Sequence, residues 1–289
     1  MPRILARKSA NTFKTLPLYV EADPQCLVYQ PLGVPLNFSQ MLERRQPLQI
    51  ADPQRFTCEL ANLGVSVRLT LGWRGRDYWL LVRQQRPDRG DCVLKLISGY
   101  VPSQELHLPL HTALQEVAEE CLVETPRGWL GGRFGEHWLP TPHAASLPHH
   151  EEQYFRLSPL SGDARRVHAG ELPLLERPQA YVHLPTASLQ LVYDLRLELP
   201  ATVQAPSLYH SDEYLEDGML VSRLDPQHPD LYLMPVDHPN ALFTLQKGEL
   251  QPAPTDGLWL SESFAMQDGW LIRDERISWD AWVEQRRCA

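Results

Sequence analysis

The fold is decided by one stretch of the chain, CVLKLISGYVPSQELHLPLHTALQEVAEECLVETPRG, which covers residues 92–128. Its first six residues are mostly apolar and predict a strand over 92–97 that ends at Ser98-Gly99. A helix is predicted over 109–122, because Pro109 suits a first helical turn and apolar residues then recur at helical spacing. This apolar stripe consists of Leu110, Leu114, Val117 and Cys121. Pro126 and Gly128 are expected to end the helix.

Three glutamates occupy the other side of this helix. At roughly 100° per residue, Glu116 and Glu120 project about 40° apart, and Glu119 lies beside them. No Lys or Arg stands three or four residues from any of the three. Grouped carboxylates of this kind suit a hard cation such as Mg²⁺ or Mn²⁺. A solvated acidic helix face is the structural alternative, since like charges at this spacing cost only a few tenths of a kcal/mol.

The surrounding sequence is dominated by strand patterns. Residues 65–71 alternate polar and apolar side chains, residues 78–82 form an almost continuous apolar run, and the two predict a hairpin. Further short strands are predicted over 27–29, 48–50, 153–157, 189–199, 219–224, 231–234 and 258–260, with short helices over 37–45 and 278–287. Because strands outnumber helices, an α+β or mixed α/β sandwich is expected.

The order of strand, loop and acidic helix resembles the signature of the Nudix hydrolases, Gx5Ex7REUxEExGU, where U is an aliphatic residue. Gly99 and Glu105 match Gx5E, and Val123 matches the last aliphatic position. The EUxEE core is matched by Glu116, Val117, Glu119 and Glu120. There are three departures: Gln115 replaces the Arg of the motif, Leu122 replaces its Gly, and the interval from Gly99 to Gln115 is two residues longer. Counted back from the helix, His107 takes the place of Glu105.

The resemblance implies a fold and a domain organisation. The fold would be α+β, a Nudix-like mixed-sheet α/β/α sandwich with N- and C-terminal extensions. The Nudix-like domain would occupy residues 61–200, after an N-terminal extension over 1–60. Residues 201–289 would form a strand-rich C-terminal extension that ends in a helix.

The resemblance also implies an activity, the hydrolysis of a pyrophosphate bond in a nucleoside diphosphate derivative. Glu116, Glu119 and Glu120 would hold Mg²⁺ or Mn²⁺, and Glu105 would support them. Glu151 or Glu152 resembles, by its order along the chain, the loop acid that serves as auxiliary base in this family. The alternative function is a catalytically degenerate Nudix-like scaffold that binds a nucleotide metabolite or another protein, which Gln115 and Leu122 favour. The sequence does not reveal the substrate or the oligomeric state.

The polar segment before the strand at 153–157 permits other interpretations. In the first interpretation, the segment is a polar loop that leads into the strand and has no functional role. His143, His149 and His150 are a second option, a transition-metal site, although they lack the helical spacing of familiar His ligands.

The charge balance restricts the partners. The chain has 27 Lys+Arg against 36 Asp+Glu, a net charge of −9, which argues against non-specific nucleic-acid binding. A small-molecule nucleotide derivative is therefore the expected partner, and its phosphates must meet a metal or local basic residues. Candidates near the hairpin are Arg83, Arg86, Arg89 and Lys95, which are equally compatible with a solubilising role.

The sequence predicts a cytoplasmic protein with no membrane partner. No apolar run approaches the roughly 20 residues that span a bilayer, and the basic N-terminus lacks the apolar core of a signal peptide. The five Cys residues show no CxxC spacing, so free thiols in a reducing compartment are expected.

Overall fold

The computed structural model describes residues 2–9, 13–86, 91–160, 164–166, 173–175 and 178–288, most of them in strands. The helices are α1 (Phe38–Arg44), α2 (Pro109–Glu120) and α3 (Trp279–Cys288). The strands are β1 (Arg3–Ser9), β2 (Lys14–Thr15), β3 (Leu18–Ala22), β4 (Leu27–Pro31), β5 (Leu36–Asn37), β6 (Phe56–Leu60), β7 (Asn62–Trp73), β8 (Arg76–Arg86), β9 (Asp91–Lys95), β10 (Ile97–Tyr100), β11 (Cys121–Thr125), β12 (Gly128–Phe134), β13 (His137–Trp138), β14 (His149–Pro159), β15 (Ala164–Arg166), β16 (Pro173–Leu175), β17 (Gln179–His183), β18 (Ser188–Glu198), β19 (Ser207–His210), β20 (Asp212–Glu216), β21 (Met219–Leu224), β22 (Leu231–Pro235), β23 (Leu242–Gln246), β24 (Glu249–Ala253), β25 (Trp259–Ser261), β26 (Leu271–Ile272) and β27 (Arg276–Ser278).

The longest strand, β7, organises a large mixed sheet. One edge of β7 pairs in parallel with β18 along almost its whole length. Its other edge pairs antiparallel with β10 in the first half and with β8 in the second half. Strands β14 and β17 continue the sheet beyond β18, while β9 and β22 continue it beyond β8.

The two faces of this sheet are covered by different parts of the chain. Val67 and Leu69 of β7 are fully buried on the face that receives α2, in one core with the helix residues Leu110, Leu114, Val117 and Cys121. Leu96 and Tyr181 belong to a second core with Trp279 and Trp282 of α3. The predicted packing of the α2 stripe on the sheet is therefore confirmed, and so is the mixed α/β character.

The predictions from local patterns hold for most elements. Strands were predicted correctly over 65–71, 78–82 and 219–224, and α1 begins after the predicted residue Asn37, whose side chain accepts a hydrogen bond from the Gln40 backbone N–H. The prediction over 48–50 was wrong, since no strand forms there. This segment makes one backbone hydrogen bond, from Leu48 N to Leu184 O, and has no strand partner.

The structure of residues 92–128 differs from the prediction at both ends of this stretch. The strand over 92–97 is divided into β9 and β10, so Ser98 and Gly99 lie within a strand and do not end one. The helix stops at Glu120, two residues early, because Cys121 already pairs with His210 as the first residue of β11. Pro126 therefore lies in the turn between β11 and β12.

The three predicted segments of the chain share hydrophobic packing. Leu18 from the first segment and Leu231 from the last belong to the same core as β7. Strand β1 also pairs with β21, which joins residues from the two ends of the chain. None of the helices in the described ranges is long and apolar enough to cross a membrane.

Candidate functional site

The C-terminal half of α2 lies in a cluster of charged side chains, which we call the acidic crevice. It consists of Glu116, Glu119, Glu120, Asp212, Glu213 and Lys95. The crevice forms because α2 runs directly into β11, and β11 pairs with β19. The Ser211 backbone N–H then donates to the Glu120 carbonyl at 3.2 Å, which places the start of β20 beside the end of the helix.

Glu116 lies against the backbone of β10. A Cβ atom built on Gly99 would overlap the Glu116 carboxylate, so only glycine allows this approach. This contact explains why a glycine at position 99 accompanies a glutamate at position 116, two residues that the sequence motif relates only by spacing.

Lys95 supplies the counter-charge that the helix lacks. Its Nζ lies 3.5 Å from Glu120 Oε1 and donates to Ser98 Oγ at 3.2 Å. The Lys95 and Glu120 side chains are 14% and 16% exposed. Burial disfavours the charged ammonium, but the carboxylates of Glu120 and Glu116 outweigh it, so the pKa of Lys95 is raised and the side chain stays charged.

Burial and mutual repulsion raise the pKa values of the two inner glutamates. The pKa of Glu116 lies well above its ordinary value, because of burial first and then the charges of Glu120 and Glu119. Burial raises the pKa of Glu120 to about 7, although Lys95 opposes the shift. A solvated acidic helix face is therefore the wrong interpretation of these glutamates.

Glu119 is bound from two sides. Gln115 Nε2 donates to Glu119 Oε1 at 3.1 Å, and Lys8 Nζ of β1 lies 3.0 Å from the same oxygen. Glu116, Glu119 and Glu120 are called the triad below. Gln115 therefore contacts a triad glutamate from the position where the Nudix motif has its Arg.

We predict that Gln115→Arg raises the affinity for Mn²⁺. An Arg guanidinium can hold a carboxylate through two parallel hydrogen bonds, whereas the Gln115 amide donates only one to Glu119. Titration with Mn²⁺, followed by the loss of the free-ion electron paramagnetic resonance signal, measures the change. Equal affinity in a folded variant would mean that position 115 does not orient the triad.

Two of the other predicted residues lie elsewhere. Glu105 accepts a hydrogen bond from Thr112 Oγ1 at 2.6 Å and lies 3.2 Å from His111 Nδ1, so it braces the first turn of α2. Glu152 is exposed on β14, which β12 separates from β11. The Glu151 side chain lies outside the described residues.

Asp212 and Glu213 are acids that the sequence analysis missed. Glu213 raises the pKa of Glu116 and Asp212 raises that of Glu120, while burial raises the pKa values of both residues themselves. These two acids are far from α2 in the sequence. The pairing of β11 with β19 brings them beside the helix. Their one sequence signal is an acidic pair that lies one residue after the short strand β19.

Within the described residues, His143, His149 and His150 do not come together as a metal site. His143 Nε2 lies 3.1 Å from the Glu119 carbonyl oxygen, and burial lowers the pKa of His143. His210 is buried with its Nε2 3.9 Å from Glu120 Oε2, and burial lowers its pKa to about 3, so the ring is neutral. Within the described ranges, no three His, Cys, Asp or Glu side chains converge closely enough to hold a metal ion.

The basic residues near the β7–β8 hairpin separate into two groups. Arg83 lies 3.5 Å from Asp230 and donates to Cys92 Sγ at 3.0 Å, whereas Lys95 enters the crevice. The Arg86 side chain and Arg89 lie outside the described residues. Lys95 is thus the phosphate-binding candidate that lies beside the triad.

We predict that Gly99→Ala lowers Mn²⁺ affinity by about tenfold or more while the free energy of unfolding changes by less than about 1 kcal/mol. The added methyl displaces the Glu116 carboxylate, which can move because it ends a flexible side chain. Gly131→Ala is the control, because a Cβ on this strand glycine meets only ordinary contacts. Unchanged Mn²⁺ binding in Gly99→Ala would contradict the role assigned to Glu116.

Comparison of the chain with protein-family models and with curated proteins gives no match.

Proposed function

We propose that the chain is a Nudix-type pyrophosphohydrolase that cleaves a nucleoside diphosphate derivative in the presence of Mg²⁺ or Mn²⁺. The observation that carries the proposal is the pair of largely buried glutamates, Glu116 and Glu120, whose pKa values are both raised. Such a pair costs stability in the metal-free protein. Carboxylates with strongly shifted pKa values are typical of functional sites.

The crevice fits a hard cation in composition. Its acids offer oxygen ligands, and Glu120 Oε2 is buried without a hydrogen-bond partner in the part of the chain that the structure describes. Glu116, Glu119 and Glu120 would hold the metal, with Asp212 and Glu213 as further acids. Among the described residues these side chains do not converge on one point, so metal binding would require them to reorient.

The chain's own groups have distinct parts in the proposed reaction. Bound Mg²⁺ or Mn²⁺ would neutralise charge on the diphosphate and lower the pKa of a water molecule. The raised pKa of Glu116 means that its carboxylate binds a cation or a proton more readily than an ordinary glutamate does. The Lys95 ammonium can contact a phosphate oxygen while it keeps Glu120 in place.

The location that we propose is the cytoplasm. Cys26, Cys58, Cys92 and Cys121 are free thiols, which supports a reducing compartment. The partner is a small-molecule nucleotide derivative, and neither a nucleic acid nor a membrane is proposed as a partner.

A hydrolysis screen with two metals tests the proposal. ADP-sugars, dinucleotides and nucleoside triphosphates are incubated with millimolar Mg²⁺ or Mn²⁺. Released phosphate is measured after phosphatase treatment for the ADP-sugars and dinucleotides, and after treatment with inorganic pyrophosphatase for the triphosphates. We expect metal-dependent release from at least one substrate class, and retention of that activity in Glu43→Gln, which alters an exposed helical glutamate outside the crevice. No release from any class, together with no Mn²⁺ binding, would refute it.

A specific observation favours a second function, that of a scaffold without turnover. Lys95 already neutralises Glu120 from within the protein, as a cation bound at the same place would. A degenerate Nudix-like scaffold would bind a nucleotide metabolite or another protein through its remaining surfaces. Saturable nucleotide binding without hydrolysis or Mn²⁺ binding distinguishes this function from the first.

A further inference from the structure

A cavity lies on the face of the sheet opposite α2. Successive side chains of a strand point to opposite faces, so Arg68 points away from the α2-side core that contains Val67 and Leu69. The cavity has a volume of about 520 Å³ and is lined by Arg68, Trp79, Gln179, Phe264, Trp270 and Arg286. This volume lies in the range of roughly 300–1,000 Å³ that is usual for small-molecule sites.

The cavity carries an excess of positive charge in an acidic protein. Arg68 is neutralised, since its Nη1 lies 3.2 Å from Asp194 Oδ1. Arg286 has no carboxylate within ion-pairing distance anywhere in the described ranges. Its guanidinium lies 5.9 Å from the Trp79 ring centroid and 5.4 Å from that of Trp282. One uncompensated guanidinium is therefore available to an anion at the cavity.

The aromatic walls of the cavity are fixed by contacts outside it. Phe264 packs edge-on against Trp282 with the ring centroids 5.7 Å apart. The Trp270 indole N–H donates to the Asp23 carbonyl oxygen at 2.8 Å. Flat apolar surfaces that are already held in place bind a planar ring with little loss of conformational entropy.

Neutral polar groups complete the lining. Gln179 Oε1 accepts a hydrogen bond from Arg68 Nη2 at 2.9 Å, so its amide group is oriented and its NH₂ can donate to a ligand. Gln267 and Ser263 also line the cavity. Amides and hydroxyls can bind the edge of a nucleobase, which offers both donors and acceptors.

We propose that this cavity binds a mononucleotide, with the phosphate on Arg286 and the base among the aromatic and amide side chains. The charge, the planar walls and the amide groups each match one part of such a ligand, and the volume accommodates the whole of it. The site is separate from the acidic crevice and requires neither metal nor hydrolysis, so it does not depend on the proposed function.

Calorimetry with the full chain in EDTA tests the site, with AMP, GMP, CMP and UMP as probes. We expect saturable binding of at least one mononucleotide and about tenfold weaker binding to Arg286→Gln. Arg287→Gln is the matched control, because it removes the same charge from a side chain that is exposed like that of Arg286 but does not line the cavity. Circular dichroism confirms that both variants are folded.

Ligand fragments separate the two halves of the site. The nucleoside of the bound nucleotide lacks the phosphate, and ribose 5-phosphate lacks the nucleobase. Each is therefore expected to bind more weakly than the intact nucleotide. The proposal fails if none of the four nucleotides binds, or if Arg286→Gln and Arg287→Gln weaken binding equally. It also fails if ribose 5-phosphate binds as tightly as the nucleotide, since the aromatic walls would then contribute nothing.

Discussion

Glu116→Gln is expected to lower turnover by about 10²- to 10⁴-fold, because the neutral amide cannot hold a hard cation as a carboxylate does and cannot accept a proton. It is expected to leave the metal-free protein at least as stable as the wild type. The amide keeps the shape of the carboxylate against Gly99 but removes a buried charge that repels Glu120 and Glu119. Hydrolysis assays and urea denaturation in EDTA measure the two effects separately.

The same substitution should change how stability depends on pH. The pKa of Glu116 in the folded chain is raised, so folding favours its protonated form. Its contribution to stability is complete below the ordinary glutamate pKa of about 4.3 and is lost as pH rises through the higher folded value. Wild type should therefore lose more stability than Glu116→Gln between pH 4 and pH 8. A variant that is less stable than wild type at pH 8 would indicate a structural role for the charge.

Lys95→Met is expected to reduce the free energy of unfolding by about 3 kcal/mol at pH 8. Removal of one partner from a buried ion pair leaves the other charge uncompensated, which typically costs 3–5 kcal/mol. The lower end applies because Glu120 is 16% exposed and can take up a proton. Urea denaturation of the metal-free protein measures the change.

The loss should be smaller at pH 6 than at pH 8. Burial raises the pKa of Glu120 to about 7, and without Lys95 the value rises further, so at pH 6 the carboxyl is protonated and needs no counter-charge. Lys14→Met, which alters an exposed lysine on β2, is the control. Equal losses at both pH values would mean that Lys95 contributes by packing alone.

Metal should restore the stability of Lys95→Met if the crevice binds a divalent cation. A ligand that binds only the folded state stabilises it by RT ln(1 + [L]/Kd), and a cation would take over the role of the lost ammonium. Millimolar Mg²⁺ should then raise the melting temperature of Lys95→Met more than that of the wild type. No difference between the two would favour the scaffold without turnover.

Local patterns predicted the elements that local forces decide. The stripe from Leu110 to Cys121 repeats at helical spacing, so the buried face of α2 could be predicted, and the alternation over 65–71 identified β7 in the same way. The end of α2 could not be predicted, because it depends on the pairing of Cys121–Thr125 with β19. The helix signals Pro126 and Gly128 were real turn signals, but they belong to the turn that follows β11.

The candidate site was predictable only where it lies on α2. The three glutamates could be found from spacing on one helix, but Lys95 and Glu213 reach them through strand pairings that no local pattern contains. Glu105 illustrates the reverse case. Its spacing from Gly99 matches the motif, yet its hydrogen bond from Thr112 keeps it at the first turn of the helix.

The direct junction between Glu120 and Cys121 restricts how this chain can change over evolutionary time. The apolar stripe fixes the rotation of α2 at one end, and pairing with β19 fixes the register of β11 at the other. One added residue in the helix would turn the glutamates by about 100°, and one in the strand would exchange its two faces. Residues 109–125 can therefore diverge by substitution, whereas insertions and deletions must accumulate in the loops outside them.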